Sequence, residues 1–366
     1  MSFTPPPYPY ERLDEVRALA AAVEGGPLDC SVGTPGDEPP AFVAAELARA
    51  RGVRGYPSSA GALELRQGIV EWLERRFAVA LGPDQVALCV GTKEFVASLA
   101  GYLHLRRPER DTVLYPEVSY PTYAMGAQLA GLRAVAVPRR EGLLDLGAID
   151  PADAQRALLL WANAPANPTG ELEDLGAVAQ WGRAHDVVVA SDECYADFTW
   201  RGDPRSVLQS GTVGVLAVHS ISKRSNLAGA RVGFYAGDED LVAYLRLVRQ
   251  HAGLMVPGPL QAVAQFAYAD EDHVVAQRQR YLERLELLAD ALARSGVEAP
   301  VPDGGFYLWA HRAGSDGWAL ARELASRSGL VVSPGEFYGA AGADHVRIAV
   351  VQPTERIAAA AQRLAR

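Results

Sequence analysis

A chain of 366 residues is too long for one compact core, and its length points to two lobes with a cleft between them. Half of its residues are hydrophobic and about a fifth charged, with 35 Gly and 24 Pro spread along it, which excludes disorder except at the ends. A formal net charge of −9 argues against non-specific binding to nucleic acid or anionic membranes, so an anionic ligand must be held by local Arg or Lys groups.

The first residues, Ser2 to Glu15, are proline-rich and then charged, without the apolar stretch of a signal peptide, and no later run approaches a membrane span. Cys30, Cys89 and Cys194 are far apart and show no metal-ligand spacing, which suits a reducing compartment. A cytoplasmic, unprocessed protein is expected. From Val86 onward, short β-branched runs alternate with longer amphipathic ones. Val86–Val90, Thr112–Tyr115, Arg133–Val137, Ala157–Trp161, Val187–Ser191 and Gly214–His219 read as strands, with helices over Glu94–Leu105, Tyr120–Ala130 and Leu175–His185. Such alternation predicts an α/β large domain, a mostly parallel sheet flanked by helices, over residues 36–257. After Pro257 and Pro259 the pattern changes. Leu260–Ser295 reads as long helices, followed by strands at Phe306–Trp309, Val331–Val332 and His345–Val350 and helices at Trp318–Ser328 and Thr354–Leu364. Residues 258–366 are therefore expected to form a smaller α+β domain, joined by residues 1–35, which are too few to fold alone.

Open parallel sheets bind ligands beyond the carboxyl ends of their strands, so the polar segments there carry the chemistry. His219-Ser-Ile-Ser-Lys223-Arg follows one strand. A lysine acting as an amine nucleophile needs a partly desolvated site, and Ser220, Ser222 and Arg231 are suited to a phosphate ester. A solvated lysine on a surface loop is the alternative. Asn163-Ala-Pro-Ala-Asn167-Pro-Thr-Gly170 follows another strand, and Asn167 there can donate to a phenolate oxygen or simply build a turn. Asp192, in Ser191-Asp-Glu-Cys-Tyr195, is placed either to pair with a protonated pyridine nitrogen or to cap a helix. Tyr195 can donate to the same phenolate. Gly91-Thr92-Lys93 precedes a helix whose first N–H groups can bind phosphate. Tyr120, in Tyr120-Pro-Thr-Tyr123, offers an aromatic face or is core. The histidines are scattered without metal-ligand spacing, and only His251, near Pro257, is placed to line the cleft.

Taken in order, Gly91-Thr-Lys93, Tyr120-Pro-Thr-Tyr123, Asn167-Pro-Thr-Gly170, Ser191-Asp-Glu-Cys-Tyr195, Ser220-Ile-Ser-Lys223 and Gly229-Ala-Arg-Val-Gly233 resemble the class I/II aminotransferases of pyridoxal-phosphate (PLP) fold type I, over essentially the whole chain. The resemblance implies that Lys223 is the Schiff-base lysine and later the base that moves a proton. It implies that Asp192 pairs with the pyridine nitrogen, that Asn167 and Tyr195 bond the ring oxygen, and that Tyr120 stacks on the ring. Thr92, Lys93, Ser220 and Arg231 would line the phosphate, with Ser222 nearby. Gly33, Asn167 and Arg347 would form the substrate-binding set, Arg347 taking the α-carboxylate. Tyr56 would reach the phosphate of a neighbouring subunit, which implies a homodimer with shared active sites.

A narrower resemblance rests on Ser31-Val-Gly-Thr-Pro35, Gly55-Tyr-Pro57, the segment from His219 to Gly229, that from Arg249 to Pro257, and Gly335-Glu-Phe-Tyr-Gly339. These are similar to the actinobacterial type of succinyldiaminopimelate aminotransferase. That likeness implies amino exchange between glutamate and N-succinyl-2-amino-6-oxopimelate, a reaction of diaminopimelate and lysine biosynthesis. Such a substrate needs a second cation far from Arg347. Lys93 and Arg224 are the candidates, against the reading that both serve phosphate or solvent. An aminotransferase for another amino acid, or a PLP-dependent β-lyase, would use the same cofactor residues. A dehydrogenase lacks its Gly-x-Gly-x-x-Gly here, and a DNA-binding regulator lacks room for its extra module.

Overall fold

The computed structural model describes residues 4–49 and 52–365; Ser2 and Phe3 of the proline-rich N-terminal stretch lie outside them. Its centre is a seven-stranded sheet of β1 (Val86–Cys89), β2 (Thr112–Pro116), β3 (Arg133–Val137), β4 (Ala157–Asn163), β5 (Val188–Asp192), β6 (Val215–Ser220) and β7 (Gly233–Gly237). The spatial order is β1-β7-β6-β5-β4-β2-β3. Neighbours from β3 across to β6 run parallel, and β7 is antiparallel to both β6 and β1. Every residue of β4, β5 and β6 is buried, as continuous apolar strands covered on both faces require.

One face is covered by the helices Thr92–Arg106, Thr122–Leu129 and Glu239–His251, through Phe95, Leu99, Tyr123 and Leu245. The other is covered by Leu63–Phe77, Leu175–His185 and Gly258–Ala269, through Ile69, Trp72, Val178 and Val263. The six expected strands and three expected helices lie within two residues of their expected limits. The strand β7 was not expected, because glycines at both its ends and only Phe-Tyr-Ala between them give little β pattern.

The Leu260–Ser295 pattern resolves into two helices, Gly258–Ala269 and Asp272–Arg294. The first buries Val263, Ala264, Ala267 and Tyr268 in the core under the large sheet. The second buries Tyr281, Leu285 and Leu288 in another core. Pro259 sits in the first turn of its helix, where the missing N–H costs nothing, so the proline pair marks a helix start.

A second core lies around β8 (Tyr307–His311), β9 (Ser333–Pro334) and β10 (His345–Ala349), an antiparallel sheet in the order β8-β10-β9. The helices Asp14–Ala21, Gly317–Ser328 and Thr354–Leu364 pack on it. The N-terminal residues join this body: Leu28–Asp29 pairs in parallel with Leu330–Val331, and Leu13, Val16 and Ala20 are buried there. No helix among the described residues is long and apolar enough to cross a membrane.

Candidate active site

Asn163, Asp192 and Ser220 are the last residues of the adjacent parallel strands β4, β5 and β6. They open into a cavity of about 430 Å³ that also reaches Gly33 and Arg347 of the second body. The side chain of Asn163 ties the turn beyond it. Its Nδ2 donates to the Asp192 carbonyl at 2.7 Å, and its Oδ1 accepts the Asn167 N–H at 2.7 Å. Asn167 is thereby delivered to the cavity, and its Oδ1 accepts from Arg347 Nη1 at 2.8 Å.

Lys223 stands on the single turn Ile221–Arg224, capped by Ser220, whose Oγ accepts from the Ser222 N–H at 3.3 Å. Lys223 Nζ donates to the Gly33 carbonyl. Burial pulls its ammonium down to about 8; Arg347 and Arg231 act the same way, against Cys194 and Asp192. A neutral amine is therefore accessible near neutral pH.

Asp192 is 7% exposed. It accepts from the Tyr123 hydroxyl at 3.2 Å and the Cys194 N–H at 3.2 Å. Burial pushes its carboxyl above the usual value, against those two hydrogen bonds. No arginine, lysine or histidine among the described residues forms an ion pair with it, although a buried carboxylate needs a cation. Tyr195 and Tyr307 join hydroxyls at 2.7 Å, and burial raises both phenols, so they remain neutral donors.

At the other end, Thr92, Ser220 and Arg231 converge. Cys194 Sγ lies 3.5 Å from Thr92 Oγ1 and 3.7 Å from Ser220 Oγ. Arg231 takes a left-handed backbone, φ 53°, and among the described residues its side chain donates only to the carbonyls of Ala228 and Val90, at 3.0 and 3.5 Å. A Cβ at Gly91, itself at φ 74°, would run into the Arg231 guanidinium, so the glycine is what lets that guanidinium in. Arg347 comes from β10 and is 2% exposed. Its guanidinium lies between the rings of Tyr307 and Tyr338, 4.1 and 4.7 Å from their centroids, and Nη2 donates to the Ser31 carbonyl at 2.7 Å.

The cavity thus gathers Gly33, Thr92, Lys93, Tyr120, Asn167, Asp192, Tyr195, Ser220, Ser222, Lys223, Arg231 and Arg347, nearly all the residues expected from sequence. Lys93 sits at the mouth, exposed, with Nζ 3.5 Å from the Tyr8 hydroxyl. Tyr56 is not brought to it: it is 99% exposed on another part of the surface. Arg224 is turned away into the core, and His251 is exposed at the end of its helix, away from the cavity lining. Tyr8, Tyr10 and Tyr307 line the cavity without a sequence signal, since a tyrosine in a terminal segment or strand looks like any other. Tyr123 stood inside a quoted motif without a role of its own.

Two features of the cavity test it for a ligand. Among the described residues a buried acid has no cation in ion-pair distance, and a guanidinium that donates only to carbonyls stands beside hydroxyls and a helix start. A ligand with a protonated ring nitrogen at one end and a phosphate at the other fits both, and PLP is such a ligand. The fold and this cavity define an enzyme of PLP fold type I. The family model for aminotransferase class I and II matches residues 28–364, and the chain belongs to that family, which uses PLP.

It is 43% identical to a probable aminotransferase of Mycobacterium tuberculosis, over 98% of this chain and 85% of that one. It is 39% identical to a 4-dedimethylamino-4-oxo-anhydrotetracycline transaminase of Streptomyces rimosus, over 98% and 99%, and 34% identical to an LL-diaminopimelate aminotransferase of Aquifex aeolicus, over 98% and 96%. Among solved structures, an aminotransferase from Neisseria meningitidis superposes with a TM-score of 0.91 at 29% identity, covering 98% of this chain and 97% of that one. A probable N-succinyldiaminopimelate aminotransferase from Thermus thermophilus does so with 0.87 at 30%, covering 98% and 99%.

Proposed function

We propose that this aminotransferase exchanges an amino group between glutamate and N-succinyl-2-amino-6-oxopimelate. PLP, when bound, supplies a cationic ring that accepts the electron pair left at substrate Cα. Lys223 would carry the cofactor and, as a neutral amine, would move the proton from substrate Cα to the cofactor C4′. Asp192 keeps the ring nitrogen protonated, while Asn167 Nδ2 and the Tyr195 hydroxyl hold the ring oxygen and Tyr120 packs on the ring. Thr92, Ser220, Ser222 and Arg231 hold the phosphate. Arg347, fixed between two tyrosines, binds the α-carboxylate beside the Gly33 backbone.

Lys93 carries the substrate reading. With Arg224 turned away, the cations lining the cavity are Lys93, Lys223, Arg231 and Arg347. Lys93 alone stands exposed at the mouth without a carboxylate in ion-pair distance among the described residues, free to meet a distal carboxylate. The name of the Thermus thermophilus structure supports the same substrate. Cores on the two faces of the large sheet and a separate core around β8–β10 support two lobes that close over it, and the full exposure of Tyr56 supports a homodimer in which that residue completes a neighbour's phosphate site.

A different acceptor is the second reading, favoured by the names of the Aquifex and Streptomyces relatives. Mixing the protein with PLP, glutamate and a panel of acceptors decides between them by 2-oxoglutarate release. The panel holds the succinylated keto acid, the keto acid of unsubstituted diaminopimelate, and short keto acids. Preference for the succinylated acceptor supports the proposal, and turnover of only the others rejects it.

A further inference from the structure

Arg224 follows Lys223 directly and plays no part in the cavity. Lys223 stands on one helical turn, and a single turn fixes three residues for little hydrogen bonding in return, so it does not hold itself. Its place must come from contacts elsewhere. On one side these are the Ser220 cap and the fully buried Ile221. On the other is Arg224, 2% exposed.

Its Nε lies 3.0 Å from Asp197 Oδ2, Nη2 donates to Glu271 Oε1 at 2.8 Å, and Nη1 donates to the Ala267 carbonyl. The guanidinium also lies over the rings of Trp72 and Tyr268, 5.5 and 5.3 Å from their centroids. These partners come from separate segments: the stretch after β5, the helices Leu63–Phe77 and Gly258–Ala269, and the residue before Asp272–Arg294. Asp197 is itself held, by Arg76 at 3.1 Å and, through its carbonyl, by Arg278. An arginine needed only for solubility would stay in water, because burying its charge is costly unless its partners are well placed. Its planar fork fixes direction in a way that a lysine would not.

We propose that Arg224 is a positioning residue for Lys223, anchoring the one-turn helix to the core so that Lys223 Nζ stays desolvated in the cavity beside the Gly33 carbonyl. The proposal rests on the reading of Lys223 as the reactive amine. Asp192 and Cys194 face Lys223 from the end of β5, Arg231 from the segment before β7, and Arg347 from β10. None of these touches Arg224, so its effect on the amine has to pass through the backbone of the turn. If the turn loosens, water returns and the ammonium moves back from about 8 toward the ordinary 10.5.

The test uses cofactor-free protein. It measures the pH profile of the rate at which added PLP is captured, followed by visible absorption, and amide exchange of the turn at residues 221–224. Arg224→Gln should move the midpoint of the capture profile to higher pH and speed amide exchange by roughly tenfold or more. Arg224→Lys should lie between it and the wild type, and Asp197→Asn should give a smaller shift of the same sign. Leu288→Ala, which weakens the second core, should lower the melting temperature and leave the profile in place. Wild-type profiles in Arg224→Gln, or in Arg224→Lys and Asp197→Asn should Arg224→Gln not fold, would overturn the proposal. An equal shift in Leu288→Ala would overturn it too, as general loosening. Lys223→Ala is run alongside. If it still forms the absorbing species, the reading of Lys223 falls and this proposal with it; if it does not and Arg224→Gln is unchanged, only this proposal falls.

Discussion

The Tyr123 hydroxyl donates to Asp192 Oδ2 at 3.2 Å and is itself fixed by stacking on Trp161, with ring centroids 5.0 Å apart. Burial raises the Asp192 carboxyl, and this hydrogen bond acts in the opposite direction. The site needs the carboxylate, so function fades as pH falls through the Asp192 pKa. Removing the donor in Tyr123→Phe should raise that pKa further. The acid limb of PLP affinity should then move to higher pH, and a limb left in place would show that Tyr123 does not tune Asp192.

Lys223→Ala should leave the fold intact and reduce turnover by roughly 10²–10⁴-fold from lost proton transfer alone. Single-turnover measurements with glutamate check this, and wild-type rates would remove Lys223 from the mechanism.

Arg347 makes its contacts fully buried, so Arg347→Ala should weaken glutamate by about 2–5 kcal/mol, read as a rise in KM. Arg347→Lys keeps the charge but not the fork, and should recover only part of the loss. Equal KM values for wild type and both variants would move the carboxylate site elsewhere.

Gly91→Ala combines a positive φ with a Cβ aimed at the Arg231 guanidinium. Backbone strain of about 1–3 kcal/mol is expected, and the displaced guanidinium should weaken the cofactor more than the substrate. Equilibrium dialysis of PLP and thermal unfolding separate the two effects.

Lys93→Glu should leave short keto acids unaffected and penalise acceptors with a distal carboxylate. Steady-state rates with one acceptor of each kind decide it. A uniform loss would instead place Lys93 on the phosphate.

Much of the site was legible because its residues cluster at strand ends in short segments such as Ser220-Ile-Ser-Lys223, where order along the chain mirrors order in space. What was not legible depends on direction. Arg224 and Lys223 are neighbours on one turn, yet one faces the cavity and the other the core, and only the packing around Trp72 and Asp197 decides which. Tyr307 escaped for a related reason, since a buried aromatic on β8 is compatible with plain core until its hydroxyl is seen against Tyr195. The strand β7 was missed on composition, because glycines stand at both its ends.

The pairing of Leu28–Asp29 with Leu330–Val331 constrains the order of events during synthesis. Ser31 offers its carbonyl to Arg347 and to Ser333, the latter 302 residues further along. The segment that carries Gly33 leaves the ribosome early, but its strand partner, Leu330–Val331, follows 302 residues later. Contacts so distant in sequence form late. The strands of the large sheet can assemble on the emerging chain, whereas the half of the cavity that holds Arg347 comes into being only after β10 has been made. On the proposed reading of Arg347, a nascent chain that has already formed the large sheet is therefore still unable to grip a substrate.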